Sequence, residues 1–166
     1  MNKCFEQEFE TAGDAKSPFS RQLVVDFYDG TLTALVQCGV CGRTYACFMI
    51  DSDERLAKRI FALRPIDPDA FTKLTALDVK AGALPNWPYW VPHIPEEVGR
   101  TLFPEATEIL NSAGPAEWVI AGTPYLDTIN AVKRVPNELA SEVAASMVHK
   151  GTFDWLKFFG ISRRAS

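Results

Sequence analysis

The sequence predicts an α+β fold: an antiparallel β-meander of about four strands over residues 22–64, covered by C-terminal helices. Three observations predict it. Apolar side chains alternate with period two across much of the first 64 residues. Short turn signals separate those runs. From residue 69 the apolar spacing changes to three and four, the period of a helix packed on one side. Strands first and helices mostly later is the α+β pattern.

The elements follow in order. Residues 1–20 read as a loose lead-in ending in Thr11-Ala12-Gly13-Asp14-Ala15-Lys16-Ser17-Pro18. Gln22–Tyr28 carries Leu23, Val24, Val25 and Phe27 and reads as a strand. Asp29-Gly30 is a hairpin turn, because Gly accepts positive φ. Thr31–Cys38 sets Leu32, Ala34, Val36 and Cys38 on one face, and Arg43–Ile50 does the same with Tyr45, Cys47 and Met49. Leu56–Leu63 fits a helix or a strand. The strand is preferred because it completes a meander with short links.

Asp69–Val79 reads as a helix through Phe71, Leu74 and Leu77. Residues 82–95 form a Pro- and aromatic-rich loop. Glu96–Phe103 starts a short helix that Pro104 ends or restarts, and Ala106, Ile109, Leu110 and Ala113 make a further apolar stripe. Trp118–Ala121 is a short buried strand. Thr123 followed by Pro124 suggests a helix start, with Leu126, Ile129 and Val132 on its inner face. Leu139, Val143 and Met147 line another helix. Thr152 is the expected cap of a last short helix bearing Trp155, Leu156, Phe158 and Phe159. No repeat or mid-chain linker appears, so one domain over 1–166 is expected, with 82–95 as the only seam.

Composition narrows the function. The 166 residues are 47% hydrophobic, enough for a core that needs no metal or disulfide to fold. A formal charge of −4 argues against a nucleic-acid partner, which requires a basic face. No apolar run is long enough to span a membrane. Met1–Glu6 shows no secretory h-region, so a cytoplasmic setting with reduced thiols is expected.

The chemically distinctive motif is Cys38-Gly39-Val40-Cys41-Gly42. Two thiols three residues apart on a tight turn can hold zinc, as in a zinc knuckle, or cycle to a disulfide. A structural zinc site needs four ligands. Cys47, six residues past Cys41 on one strand, would lie roughly 20 Å away. Cys4, His93 and His149 are the other candidates, as is the same turn of a second copy. A thiol-disulfide enzyme would need the pair to open a helix, whose N-terminus lowers the thiol pKa. Here Gly42-Arg43-Thr44-Tyr45 leads into a strand. The plainest reading is a pair of reduced thiols in a hairpin turn.

Other candidates are less specific. Trp87, Tyr89, Trp90 and His93 lie among Pro85, Pro88, Pro92 and Pro95, where proline stiffness lowers the cost of presenting aromatics to a partner. A crossover strapped to the core would use the same residues. His149 suits the end of a helix. Asp51, Asp53 and Glu54 lack calcium-loop spacing and read as a solvated turn. Asp67, Asp69 and Asp78 read as loop and helix-end charges. Asp29-Gly30-Thr31 is similar to the first motif of haloacid-dehalogenase-type phosphatases. The nucleophile position holds Phe27, however, and Asp26 falls on the opposite strand face, so that activity is rejected.

Tyr28-Asp29-Gly30, Cys38-x-x-Cys41-Gly42, Tyr45 and Arg59-Ile60-Phe61-Ala62-Leu63-x-Pro65 together resemble a family of small bacterial proteins of unknown function. The resemblance implies a strand at Ile60–Leu63 and a bacterial intracellular setting, and no activity. With no complete catalytic set, the expectation is a binding protein whose partner is another protein. A thiol-disulfide enzyme and an immunity- or inhibitor-type protein are the alternatives. A small-molecule site between sheet and helices is a further option, for which the sequence names no polar anchor.

Overall fold

In a computed structural model the chain forms one antiparallel sheet with helices on its outer side. The structure describes residues 8–16, 19–27, 31–80, 108–124, 126–148 and 153–161. The strands are β1 (Phe9–Lys16), β2 (Phe19–Phe27), β3 (Thr31–Cys38), β4 (Thr44–Asp53), β5 (Lys58–Pro65), β6 (Trp118–Gly122) and β7 (Thr128–Arg134). The helices are α1 (Asp69–Lys80), α2 (Ala140–Val148) and α3 (Trp155–Phe158). No described helix is long and apolar enough to cross a membrane.

The strand order is β1-β7-β6-β5-β4-β3-β2, so the first two strands in sequence occupy the two ends of the order. Laid flat, seven strands would hold those edges about 29 Å apart. Only residues 17 and 18 separate them in sequence, and three Cα steps reach at most about 11 Å. The sheet therefore curls until its edges meet. Every pairing is antiparallel, and six pairings lead from β2 round to β1, so those two strands run in the same direction. The segment 9–27 thus borders β7 with its first half and β3 with its second. The curl has six strand positions, one of them shared by β1 and β2.

Burial fits this shape. One cluster holds Ala34, Val36, Cys38, Tyr45, Cys47, Phe61, Leu63, Trp118, Ile120, Leu126, Ile129 and Val132, with Phe19 and Met49 against it. Apart from Leu126, which lies in the β6–β7 link, all of these come from strands. The sheet covers this face with itself. The opposite face carries two further clusters. Leu35 and Ala46 pack with Ala70, Phe71 and Leu74 of α1. Ile60, Ala62, Val119 and Ala121 pack with Val143 of α2 and Trp155, Leu156 and Phe159 around α3. Both faces of the central strands are buried, which is why β6 reads Trp-Val-Ile-Ala-Gly without a polar residue.

The four expected strands are present at 19–27, 31–38, 44–53 and 58–65, but the sheet is larger than a four-stranded meander. Two regions differ from expectation. The lead-in contains β1, paired with β7 only through Phe9, Glu10, Ala15 and Lys16. The register shifts between Glu10 and Ala15, where Gly13 and Asp14 depress the local strand signal. The expected helix after Thr123 is instead β7. Ile129 and Val132 are three apart, as on a helix face. A bulge brings them to the same side of the sheet, because Ala131 pairs with Ala121 and Ile129 with Gly122, leaving Asn130 as the extra residue. The last helix is capped by Asp154, whose carboxylate accepts from Lys157 N at 3.1 Å. Thr152, the expected cap, lies outside the described residues.

Candidate functional site

The Cys38–Cys41 segment is the turn that joins β3 to β4. Cys38 N donates to Arg43 O at 2.9 Å, and Gly42 N donates to Cys38 O at 3.0 Å. Residues 39–42 are thus a four-residue loop between paired ends. Gly42 has φ +77°, the left-handed conformation that lets the chain re-enter the ladder and that side chains resist. Gln37 Nε2 adds a bond to Gly42 O at 3.0 Å. The next residues form β4, so neither cysteine opens a helix.

The two thiols have different surroundings. Cys38 is buried, 1% exposed, in the interior cluster, whereas Cys41 is exposed in the turn. Cys47 lies two positions beyond Tyr45 on the same interior face, where full burial pushes its thiol pKa far up. All three are thiols and not disulfides. Among the described residues no group of three or more His, Cys, Asp or Glu side chains stands where it could hold a metal. Of the sequence-predicted residues, Cys38 and Cys41 meet at one turn. Cys4, Trp87, Tyr89, Trp90, His93 and His149 lie outside the described residues.

Around the turn the barrel end is aromatic and basic. Arg43 pairs with Glu117 at 3.4 Å, both side chains roughly 40% exposed. The pair bridges the start of β4 to the segment entering β6, and at that exposure it is worth about 1 kcal/mol at most. The Arg43 guanidinium lies 5.4 Å from the Tyr45 ring, and that of Arg134 lies 4.4 Å from the Trp118 ring. Both rings are buried. Trp118 Nε1 has no acceptor among the described residues. Val40, 52% exposed at the loop tip, is the one large apolar side chain exposed among the described residues. Sequence reading missed Glu117, Trp118 and Arg134 as neighbours of the turn. They are far off in sequence, and only the β5–β6–β7 register brings them there.

The acidic run 51–54 is a correction. It is built into the fold and is not a solvated turn. Asp53 is buried and accepts from Arg55 N at 3.0 Å and Leu56 N at 3.2 Å, capping a single 3-10 turn. Glu54 holds the buried Arg59 guanidinium through Nε at 3.1 Å and Nη2 at 3.0 Å. Asp51 accepts from the backbone N of Trp155 at 3.1 Å, tying the start of α3 to β4. Asp67 accepts from Asp69 N at 2.8 Å, the helix-end role expected of it.

Comparison with protein-family models, with curated proteins and with solved structures finds no match to this chain.

Proposed function

We propose that this chain is a binding protein that engages another protein through the hairpin end of its barrel. Val40 carries the reading. It is a branched apolar side chain held in solvent at the tip of a turn whose backbone is fixed by three hydrogen bonds. A tip already ordered loses little entropy on docking. Arg43, Glu117 and Arg134 supply polar surroundings, the make-up of an interface with an apolar centre and a polar rim. The Pro-rich segment with Trp87, Tyr89, Trp90 and His93 belongs to the proposal as a second contact, argued from sequence alone. Zinc on Cys38 and Cys41 would brace the turn, with Cys4, His93, His149 or a second copy's turn completing the ligands. An immunity- or inhibitor-type protein is one form of this reading.

The thiol-disulfide alternative has less support. Its chemistry asks for a thiol with depressed pKa, commonly at a helix N-terminus, whereas Cys38 ends β3 and Cys41 lies in the loop that leads into β4. The test is site-directed photo-crosslinking in cells, with the reactive residue at position 40 and, as control, at the exposed position 73 on α1. One discrete protein adduct from position 40, absent from position 73, is the expected result. Identical products from both positions would remove the reading. Reduction of a small disulfide by the wild type, abolished by Cys41→Ser, would put the redox enzyme in its place. Metal content is read separately: below about 0.3 zinc per chain, the four-ligand site is not formed.

A further inference from the structure

A groove of about 500 Å³ lies on the outer face of the sheet, between Phe48 and Arg64 of β4–β5 on one side and α2 on the other. Phe48, Pro115, Val143 and Met147 give it apolar walls, and Arg64 and Asn111 are its polar members. Arg64 is held in place. Its Nε donates to Gly114 O at 2.8 Å and its Nη2 to Ala113 O at 2.6 Å, while its guanidinium lies 5.4 Å from the Phe48 ring. A guanidinium has five N–H donors, so three remain after those two bonds. No carboxylate pairs with Arg64 among the described residues, whereas Arg59 has Glu54 and Arg43 has Glu117. Burial lowers the Arg64 pKa, because a guanidinium loses solvation there.

We propose that this groove binds a small free carboxylate with an apolar tail, the carboxylate on the open side of the Arg64 guanidinium and the tail along Phe48, Val143 and Met147. The planar fork takes two carboxylate oxygens in parallel. It is already oriented by two backbone carbonyls, so little side-chain entropy is lost on binding. The volume lies within the roughly 300–1,000 Å³ of small-ligand sites. Apolar walls beside a single cation favour an amphipathic acid over phosphate, which has no use for them. This supplies the polar anchor that the sequence did not name for a site between sheet and helices. It is independent of the hairpin reading.

The test is calorimetric titration of the full chain with octanoate, octanol and acetate. Octanoate is expected to bind at least about tenfold more tightly than octanol, through the charge-assisted fork, and more tightly than acetate, through the tail. Ala144→Phe is the control variant. Ala144 is exposed on α2 and lines the groove, so a ring there fills the space without entering the core. It is expected to abolish octanoate binding with an unchanged melting temperature. Arg64→Gln is expected to equalise octanoate and octanol. If that variant fails to fold, because it also releases Ala113 and Gly114, the acid-against-alcohol comparison on the unaltered chain decides. Equal affinity for acid and alcohol, octanoate binding by Ala144→Phe as in the wild type, or no heat at millimolar octanoate would each overturn the proposal.

Discussion

The two ends of the barrel use similar residues and treat them differently. At the end formed by the β4–β5 and β6–β7 links, polar groups are taken up by the fold. Asp53 caps a turn, Glu54 holds an Arg59 that is 2% exposed, and Leu126 is fully buried against the interior. At the hairpin end an arginine, a glutamate, a cysteine and a valine remain at the surface. An acidic run near a turn attracts attention in a sequence, yet here it is structural. An unassuming Gly-Val-Cys-Gly loop is what the fold leaves exposed. The contrast teaches that a candidate site is located by the groups a fold leaves over, more than by residue types thought reactive.

The strongest way to break the contrast is to open the closed end. Leu126 has φ +57°, a left-handed conformation that costs a branched residue about 1–2 kcal/mol. Its burial among interior side chains more than offsets this. Leu126→Ala keeps the strain and removes the packing, so a loss of about 3 kcal/mol is expected, read as a lower urea midpoint at unchanged slope. A loss under about 1 kcal/mol would mean that this end is not sealed by Leu126.

A smaller, pH-dependent effect separates the interior Cys47 thiol from the exposed Cys41. Burial holds the Cys47 thiol protonated in the folded state, whereas the unfolded chain releases that proton near pH ~8.5. The folded state then binds more protons. Stability is intact below that pH and falls above it by about 1.4 kcal/mol per pH unit. Cys47→Ala is expected to remove this share of the slope between about pH 8.5 and 10.5, measured by urea unfolding at each pH. Equal slopes in both proteins would place Cys47 in contact with water. Cys41, in the solvent-exposed turn, is expected to react with an alkylating reagent while Cys47 stays protected until unfolding.

The meander and the hairpin turn were legible because local signals agree there. Period-two alternation, the Cys-x-x-Cys-Gly turn and Ile60–Leu63 all point to strands that pair with their sequence neighbours. What stayed hidden depends on pairings that sequence does not mark. β1 carries Gly13 and Asp14 and, among the described strands, pairs with β7, more than a hundred residues on. β7 imitates a helix because a bulge at Asn130 converts a spacing of three into one face of a sheet. The curl follows from the strand order alone. Arg64 was equally silent: β5 reads as a strand with or without it, and the groove exists only once α2 and residues 111–116 settle beside it.

The smallest expected change in stability is the one that sharpens the contrast most. Val40 is 52% exposed at the loop tip and belongs to none of the three buried clusters of the described residues, so its side chain adds little to the packing. Val40→Asp is expected to alter stability by less than about 0.5 kcal/mol. With the crosslinking residue moved to position 41, the same substitution is expected to abolish the partner adduct, since a carboxylate in an apolar interface centre must be desolvated without a counter-charge. The joint outcome matters, because residues that stabilise a fold and residues that bind a partner give opposite patterns here. A stable Val40→Asp protein that still forms the adduct would leave the hairpin as ordinary surface.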